Sequence, residues 1–320
     1  MSTLAKIFID GEVGTTGLQI AARLGARADI ELLQIDPAQR KDTGARAEAL
    51  NAADIAILCL PDAAAREAVA LVENTTTRII DASTAHRTSD GWVYGFPEFD
   101  VEQRARMQAS TRISNPGCYA IAAVSILRPL LSAGLLPTDW PVSIHGMSGY
   151  SGGGKSLIAA FESGVDGADP ISATTYDYAL NLDHKHVAEI TRWSGLSNAP
   201  IFLPAVGRYY KGMLVHVPLP LWALPQTPTP TPHDVFALYR SYYADQRFVT
   251  VANFDAGQSF SNLDPEGLND SNELRLHLLH NAASGQVIVV GQLDNLGKGA
   301  SGQVVQTVNL LLGVDEGLGL

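Results

Sequence analysis

The chain has 320 residues, a formal net charge of −11, 46% hydrophobic and 17% charged residues, and two cysteines; at roughly 100–200 residues per domain this is length enough for two domains with separate cores. An acidic chain without a Lys/Arg cluster lacks the counterion-release term for gripping nucleic acid or an anionic membrane, and two cysteines exclude a disulfide framework or a cysteine-built metal site. The N-terminal apolar run is too short for a signal peptide, and Arg128 and Pro129 interrupt the longest apolar segment, so the expectation is a cytoplasmic protein with no membrane and no nucleic-acid partner.

Residues 5–81 alternate short β-branched runs with alanine-rich amphipathic stretches, the pattern of βαβ units. Strands are predicted over 6–10, 30–36, 54–60 and 78–81, with helices over 15–27, 45–51 and 62–72. Four strands joined by helical crossovers imply an α/β, Rossmann-type doubly wound parallel sheet. Beyond about residue 115 the pattern changes. A helix over 118–131 is followed by a strand over 142–146 and then by strands over 201–206, 213–219, 274–280 and 286–293, which read as a more antiparallel sheet in an α+β domain. The proline-rich segment 223–232 reads as a surface crossover into a helix over 233–244, and a last amphipathic helix covers 301–312.

Several motifs carry chemistry. Gly11, Gly14 and Gly17 follow the first strand and open the first helix, where glycines let a backbone approach a pyrophosphate at a helix N-terminus. Asp36 ends the second strand, the position of a ribose-binding acid, yet Arg40 and Lys41 follow it, and with Thr15 and Thr16 they suit a 2′-phosphate; NAD and NADP both fit. In Ser114-Asn115-Pro116-Gly117-Cys118-Tyr119, Cys118 falls at a helix start, where the macrodipole favours a thiolate nucleophile, whereas Cys59 lies in an apolar strand and reads as core. The segment from Asp81 to Arg87 closes the fourth strand at the sheet edge where ligands bind, and Arg87 can clamp a phosphate or carboxylate.

The run from Ser148 through Gly149 to Lys155 resembles a P-loop but is read in preference as a flexible active-site loop. His184 and His186, with Glu189 beyond them, lack a third zinc ligand at sensible spacing, and acid/base work suits them better than a metal. His145, His216, His277 and His280 read as structural. Finally, Asn295 and Lys298 lie in a glycine-rich loop ahead of the terminal helix, a geometry for pressing backbone against something flat or anionic.

The glycine turn, the NPGCY segment, HKHVAEI (184–190) and DNLGKGASGQ (294–303) together resemble the N-acetyl-γ-glutamyl-phosphate reductase family, in its shorter subgroup, within the semialdehyde dehydrogenase superfamily. The resemblance spans nearly the whole chain. It implies an NADP-binding domain over 1–115 completed by 298–320, and a catalytic and dimerisation domain over 116–297. It also implies a cysteine thioester at Cys118, an acid/base at His186 or His184, and phosphate binding at Arg87, with substrate contacts at Ser148, Gly149, Lys155 and Glu189. The NADP(H) contacts implied are Gly11, Gly14, Thr15, Thr16, Gly17, Asp36, Arg40, Pro61, Ser83, Asn295 and Lys298. The partners implied are a small acyl phosphate, its released phosphate and further copies of the chain. Lys185 stands where the family has Arg, and Val187-Ala188 where it has Thr-Pro, which leaves the choice of histidine open. Aspartate-semialdehyde dehydrogenase is the alternative enzyme, disfavoured by Ala205 to Tyr210 where that family carries its histidine. A non-catalytic NADP-binding sensor is the alternative of another class.

Overall fold

Apolar runs in which odd and even positions both bury build the first sheet. In the computed structural model, which describes residues 4–162, 169–259 and 261–320, the chain divides into two compact units, Met1–Gly117 with Ala300–Leu320, and Cys118–Gly299.

The first unit contains β1 (Ala5–Asp10), α1 (Thr15–Gly25), β2 (Ile30–Leu33), α2 (Thr43–Ala52), β3 (Ile55–Leu58), α3 (Asp62–Ala70), β4 (Arg78–Asp81), β5 (Val93–Tyr94), α4 (Gln103–Ala109) and β6 (Arg112–Ser114). Its six-stranded sheet has the order β2-β1-β3-β4-β6-β5, with every neighbouring pair parallel. Ile7, Ile9, Ile55 and Ile57 meet Ile20 and Leu24 on one face, and the intervening Phe8, Ala56 and Leu58 meet Leu50, Ala65 and Ala68 on the other. Two buried faces are the condition for a parallel doubly wound sheet. The strands β5 and β6 escape sequence analysis because two or three residues carry no period. The strand predicted over 30–36 stops at Leu33, because Asp36 turns its carboxylate back to accept the Ala38 N–H (2.8 Å) and caps a 3₁₀ turn over Pro37–Gln39.

The second unit opens with α5 (Cys118–Ser132) and continues through β7 (Ser143–Gly149), α6 (Gly154–Phe161), β8 (Thr175–Asp177), α7 (His186–Ser194), β9 (Ile201–Gly207), β10 (Met213–Pro220), α8 (Pro232–Tyr242), β11 (Val249–Val251), α9 (Ala256–Ser259), β12 (Leu274–Asn281) and β13 (Gln286–Leu293). Its seven strands run β11-β12-β13-β10-β7-β9-β8. The sheet is mixed, since β7 with β9 and β11 with β12 are parallel and the other pairs antiparallel. The proline-rich stretch ends in a capping box, Thr231 and Asp234 each bonding the other's backbone N–H, which starts α8. After Gly299 the chain returns to the first unit as α10 (Gly302–Leu312), whose Val304, Val305 and Val308 join the core beside α1. Among the described residues no helix is long and apolar enough to cross a membrane.

Helix α5 buries nearly all its residues and contains Pro129. A proline inside a helix removes the N–H that would serve the carbonyl four residues back and crowds that turn. Two tyrosines repair the defect: the Tyr243 hydroxyl donates to the Ser125 carbonyl (2.8 Å) and the Tyr239 hydroxyl to that of Ile126 (2.7 Å). Leaving a buried carbonyl unpaired costs about 1–3 kcal/mol. Tyr243→Phe is therefore expected to destabilise the protein by about that amount in urea unfolding, with Tyr239→Phe behaving alike; a midpoint unchanged in both variants contradicts the repair.

Candidate active site

The carboxyl end of the parallel sheet in the first unit is shaped by the β1–α1 turn. Gly11 adopts φ +90°, and a Cβ there would lie 2.4 Å from the Cys59 carbonyl oxygen; a Cβ on Gly17 would lie 2.5 Å from the Gly11 oxygen. Two glycines are thus required by close backbone approach, and Gly14, the N-cap of α1, has room to spare. Helix α1 begins at Thr15 and Thr16 with no side-chain cap and no acid in its first turn, so its N–H groups and dipole favour an anion. Beside it lies a cavity of about 560 Å³, lined among others by Gly11, Glu12, Arg40, Lys41, Arg46 and Leu60. Arg46 pairs with Asp10 (2.8 Å) and Arg40 with Glu12 (3.3 Å). One carboxylate oxygen of Asp36 accepts the Ala38 N–H, and Asp36 is not among the lining residues. Pro61 is exposed and heads α3.

At the end of β4 a buried network forms. Asp81 accepts from the Ser83 N–H (2.9 Å), the Ser83 hydroxyl (2.8 Å) and His86 Nδ1 (2.7 Å). Arg87 is buried rather than a surface residue, its Nε donating to the Asn115 carbonyl (2.9 Å) and its Nη2 to that of Ala82 (3.1 Å).

In the second unit Cys118 is the first residue of α5, and a Cβ on Gly299 would come within 2.9 Å of the Cys118 Cβ. The glycine-rich loop of sequence analysis is therefore pressed against the cysteine itself. Tyr119 donates to the Ala205 carbonyl (2.9 Å), and its ring lies 6.0 Å from both His184 and His186 and 5.2 Å from Phe202. The two histidine rings are 4.7 Å apart, and Tyr178 stands edge-on to His184 at 5.7 Å. His184 Nδ1 accepts the backbone N–H of His186 (3.1 Å), where α7 begins. Glu189 is buried one turn further along α7. Burial raises the Tyr178 hydroxyl to about 12, a hydrogen bond with Tyr119 offsetting part of the rise and the charge of Cys118 adding to it. Sequence analysis missed Tyr178 and Phe202; the only available signal was an aromatic-rich stretch ahead of the histidine pair.

Several other predicted residues also make contacts within the second unit. The N–H groups of Gly149, Tyr150 and Ser151 donate to the carbonyls of Gly212, Tyr209 and Tyr210, so they cannot cradle a phosphate, and the P-loop likeness fails on that ground. Ser148 is buried with its hydroxyl on the Gly149 carbonyl, while Lys155 is exposed near the start of α6. Asn295 accepts from the Gly212 N–H (2.8 Å) and donates to the Ser151 hydroxyl (3.0 Å). Lys298 is fully buried in a π-helical turn over Gly297–Ser301, its ammonium 5.6 Å from the centre of the Phe248 ring. His277 bonds Gln292 (2.8 Å), and burial lowers its pKa as it does that of His216. Among the described residues no group of three or more His, Cys, Asp or Glu is placed to hold a metal ion.

Two family models match the chain: the NAD binding domain of semialdehyde dehydrogenase over residues 12–107 and the semialdehyde dehydrogenase dimerisation domain over 118–295. Among curated proteins, N-acetyl-gamma-glutamyl-phosphate reductase of Burkholderia orbicola is 51% identical across 96% of this chain and 97% of its own length. N-acetyl-gamma-glutamyl-phosphate reductase 2 of Pseudomonas putida is 50% identical across 96% of each, and the reductase of Trichormus variabilis 46% across 98% and 99%. Among solved structures, aspartate semialdehyde dehydrogenase II of Vibrio cholerae superposes with a TM-score of 0.69 at 13% identity, covering 98% and 99% of the two chains. Aspartate semialdehyde dehydrogenase of Francisella tularensis gives 0.69 at 12%, covering 97% and 100%. At such identity the likeness shows the fold alone.

The two thiols differ in a way that can be measured. Burial, with Asp81 and Asp10 nearby, pushes the Cys59 thiol up to about 12, so at pH 8 it is almost wholly protonated and inert. Iodoacetamide treatment of the native protein at pH 8, followed by peptide mass mapping, is expected to label Cys118 and spare Cys59. Equal labelling contradicts the assignment.

Proposed function

The chain belongs to the semialdehyde dehydrogenase family, and from that premise we propose that it reduces N-acetyl-L-glutamyl 5-phosphate with NADPH to N-acetyl-L-glutamate 5-semialdehyde and phosphate, a step of arginine biosynthesis. The observation that carries this reading is identity of about half the residues, over almost the full length of both chains, to reductases of that name. Aspartate semialdehyde dehydrogenases share the fold at 12–13% identity and give the alternative no comparable support.

The chemistry follows from the groups in place. Cys118 at the start of α5 attacks the acyl-phosphate carbon as a thiolate, phosphate leaves, and a thioester remains. Backbone N–H groups at that helix start steady the oxyanion, a contribution of about 3 kcal/mol in comparable acyl-transfer sites. Bound NADPH supplies the hydride that reduces the thioester. His186 serves as the acid/base as the thiohemiacetal forms and collapses, while His184, whose Nδ1 is committed to the His186 backbone, fixes the start of α7. Arg87 holds the phosphate. Ser148, Gly149 and Lys155 on the β7–α6 loop and Glu189 on α7 complete the substrate contacts.

The first unit suits the cofactor. Close glycine packing, an uncapped α1 and a cavity lined by Arg40, Lys41 and Arg46 supply what a dinucleotide phosphate needs. Because Arg40 and Lys41 line that cavity and Asp36 does not, it suits the 2′-phosphate of NADP better than the bare hydroxyl of NAD. The dimerisation model over the second unit supports a homo-oligomer.

The test is an assay with N-acetylglutamyl phosphate and with aspartyl phosphate, each with NADPH and NADH. The expected outcome is turnover of the acetylated substrate with at least tenfold higher kcat/KM for NADPH, a margin that Lys41→Glu shrinks. In the same assay Cys118→Ser is expected to lose at least ~10³ in turnover. Turnover of aspartyl phosphate alone contradicts the reading.

A further inference from the structure

We infer that Arg46, gripped by the buried carboxylate of Asp10, is the guanidinium that reads the 2′-phosphate of the cofactor, and that Asp10 is its positioning residue. The inference rests on the NADPH reading above and names the contact that enforces it. Sequence analysis put forward Arg40 and Lys41 for that phosphate and passed over Arg46, which belongs to no motif.

Arg46 lies just inside α2, whose start is fixed by Asp42: the Asp42 carboxylate accepts the Ala45 N–H (2.8 Å) and its carbonyl accepts that of Arg46 (3.1 Å). Asp10 is the last residue of β1, and its carbonyl accepts the Cys59 N–H (2.8 Å). Both members of the pair thus stand on regular backbone. Arg46 Nε (3.1 Å) and Nη2 (2.8 Å) both donate to Asp10 Oδ2, and the two side chains are only 11% and 7% exposed. A carboxylate oxygen chelated by two N–H groups holds the guanidinium in one place. The Nη1 of Arg46 has no hydrogen-bond partner among the described residues, and Arg46 and Asp10 both line the cavity beside the glycine turn, so the N–H groups of that nitrogen are left for a ligand.

The pair is poorly explained as a device for stability. A cation near a helix N-terminus opposes the macrodipole, and a buried ion pair returns little beyond its own desolvation cost. Without its arginine, Asp10 would set a bare negative charge beside the turn proposed to meet the cofactor's phosphates; with it, the carboxylate is neutralised and serves as a handle. Arg40 differs on each count, for its side chain is 44% exposed and its contact with Glu12 is 3.3 Å long. Lys41 is exposed and has no ion pair among the described residues. Long exposed side chains lose rotamer freedom when they hold a ligand, whereas a guanidinium already clamped loses little.

The ligand chemistry matches. A phosphate monoester carries nearly two negative charges at neutral pH, and a guanidinium meets such a group through charge-assisted N–H bonds. The hydroxyl that NADH has at the same place brings no charge, so its binding gains little from Arg46. Because the Asp10 and Arg46 charges cancel, the pair acts on a phosphate through the direction of its N–H groups and not through an added field.

That cancellation shapes the experiment. Arg46→Gln alone would strand a buried carboxylate, so the main variant is the full-length double substitution Asp10→Asn with Arg46→Gln, which leaves the total charge unchanged. Dissociation constants for NADPH and NADH are measured by cofactor fluorescence, and adenosine 2′,5′-bisphosphate is titrated as a competitor of NADPH, a probe confined to the adenosine end. The double variant is expected to lose ~10-fold or more in affinity for NADPH and for the bisphosphate, the scale of a hydrogen bond to a charged group, with NADH held within about threefold. Arg46→Lys, which keeps the ion pair with Asp10 but not the planar fork, is expected to lose ~3-fold or more of the preference for NADPH. An NADPH-to-NADH affinity ratio unchanged in both variants overturns the inference, as does an equal fall for both cofactors, the mark of a pair that only braces α2 against β1. Equal binding of NADPH and NADH by the unaltered enzyme overturns the NADPH reading itself, and the inference with it.

Discussion

A helix without a polar face must be enclosed on all sides, and α5 is such a helix. Eleven of its fifteen residues are buried, and it is walled by β10, β13, α7 and α8. Cys118 is the first residue of this enclosed helix. Enclosure by α7 brings His184 and His186 around the Tyr119 ring, and the return of the chain after β13 sets Gly299 against the cysteine. The proposed catalytic arrangement in the second unit thus follows from burying one apolar helix, with two tyrosine hydroxyls compensating for the proline inside it.

The first unit solves a different problem, that of an acidic protein binding anions. With a net charge of −11 the overall field repels the cofactor and an acyl phosphate alike. Attraction must then come from short-range features, and each is built at the ends of parallel strands: uncapped amides of α1, cations around one cavity, and a buried arginine at the end of β4. Several of these cations are held by carboxylates or carbonyls before any ligand arrives, as Arg46 is by Asp10 and Arg87 by Asn115. Pre-orientation of this kind lowers the ordering cost of binding.

Much of this was legible in the sequence, and what was not has local causes. Strands β1, β3 and β4 and helices α1, α3 and α5 announce themselves through period, and Cys118 through the Pro-Gly that precedes its helix. The two-residue β5 and three-residue β6 have no period to read. Asp36 looks like a ribose ligand by position, and only the turn at Pro37 reveals where its carboxylate goes. The loop at Gly149 resembles a phosphate cradle until its amides are seen paired with residues 209–212, a contact between distant parts of the chain. Lys298 and Asn295, read as groups facing a cofactor, are buried, Asn295 bonding Gly212 and Ser151, and nothing in a glycine-rich stretch foretells that burial. Tyr178 and Phe202 reach His184 only through the fold of the sheet. Asp81 and His86, five residues apart, are joined by a turn whose chemistry, Ser83 on Asp81, is visible only once folded.

The central claim is that Cys118 carries the acyl group. The most direct measurement is intact-protein and peptide mass spectrometry of the enzyme incubated with N-acetylglutamyl phosphate and no NADPH. The account predicts an N-acetylglutamyl adduct on the Cys118 peptide that disappears when NADPH is added; an adduct confined to another residue, or none under conditions of full turnover, would contradict it.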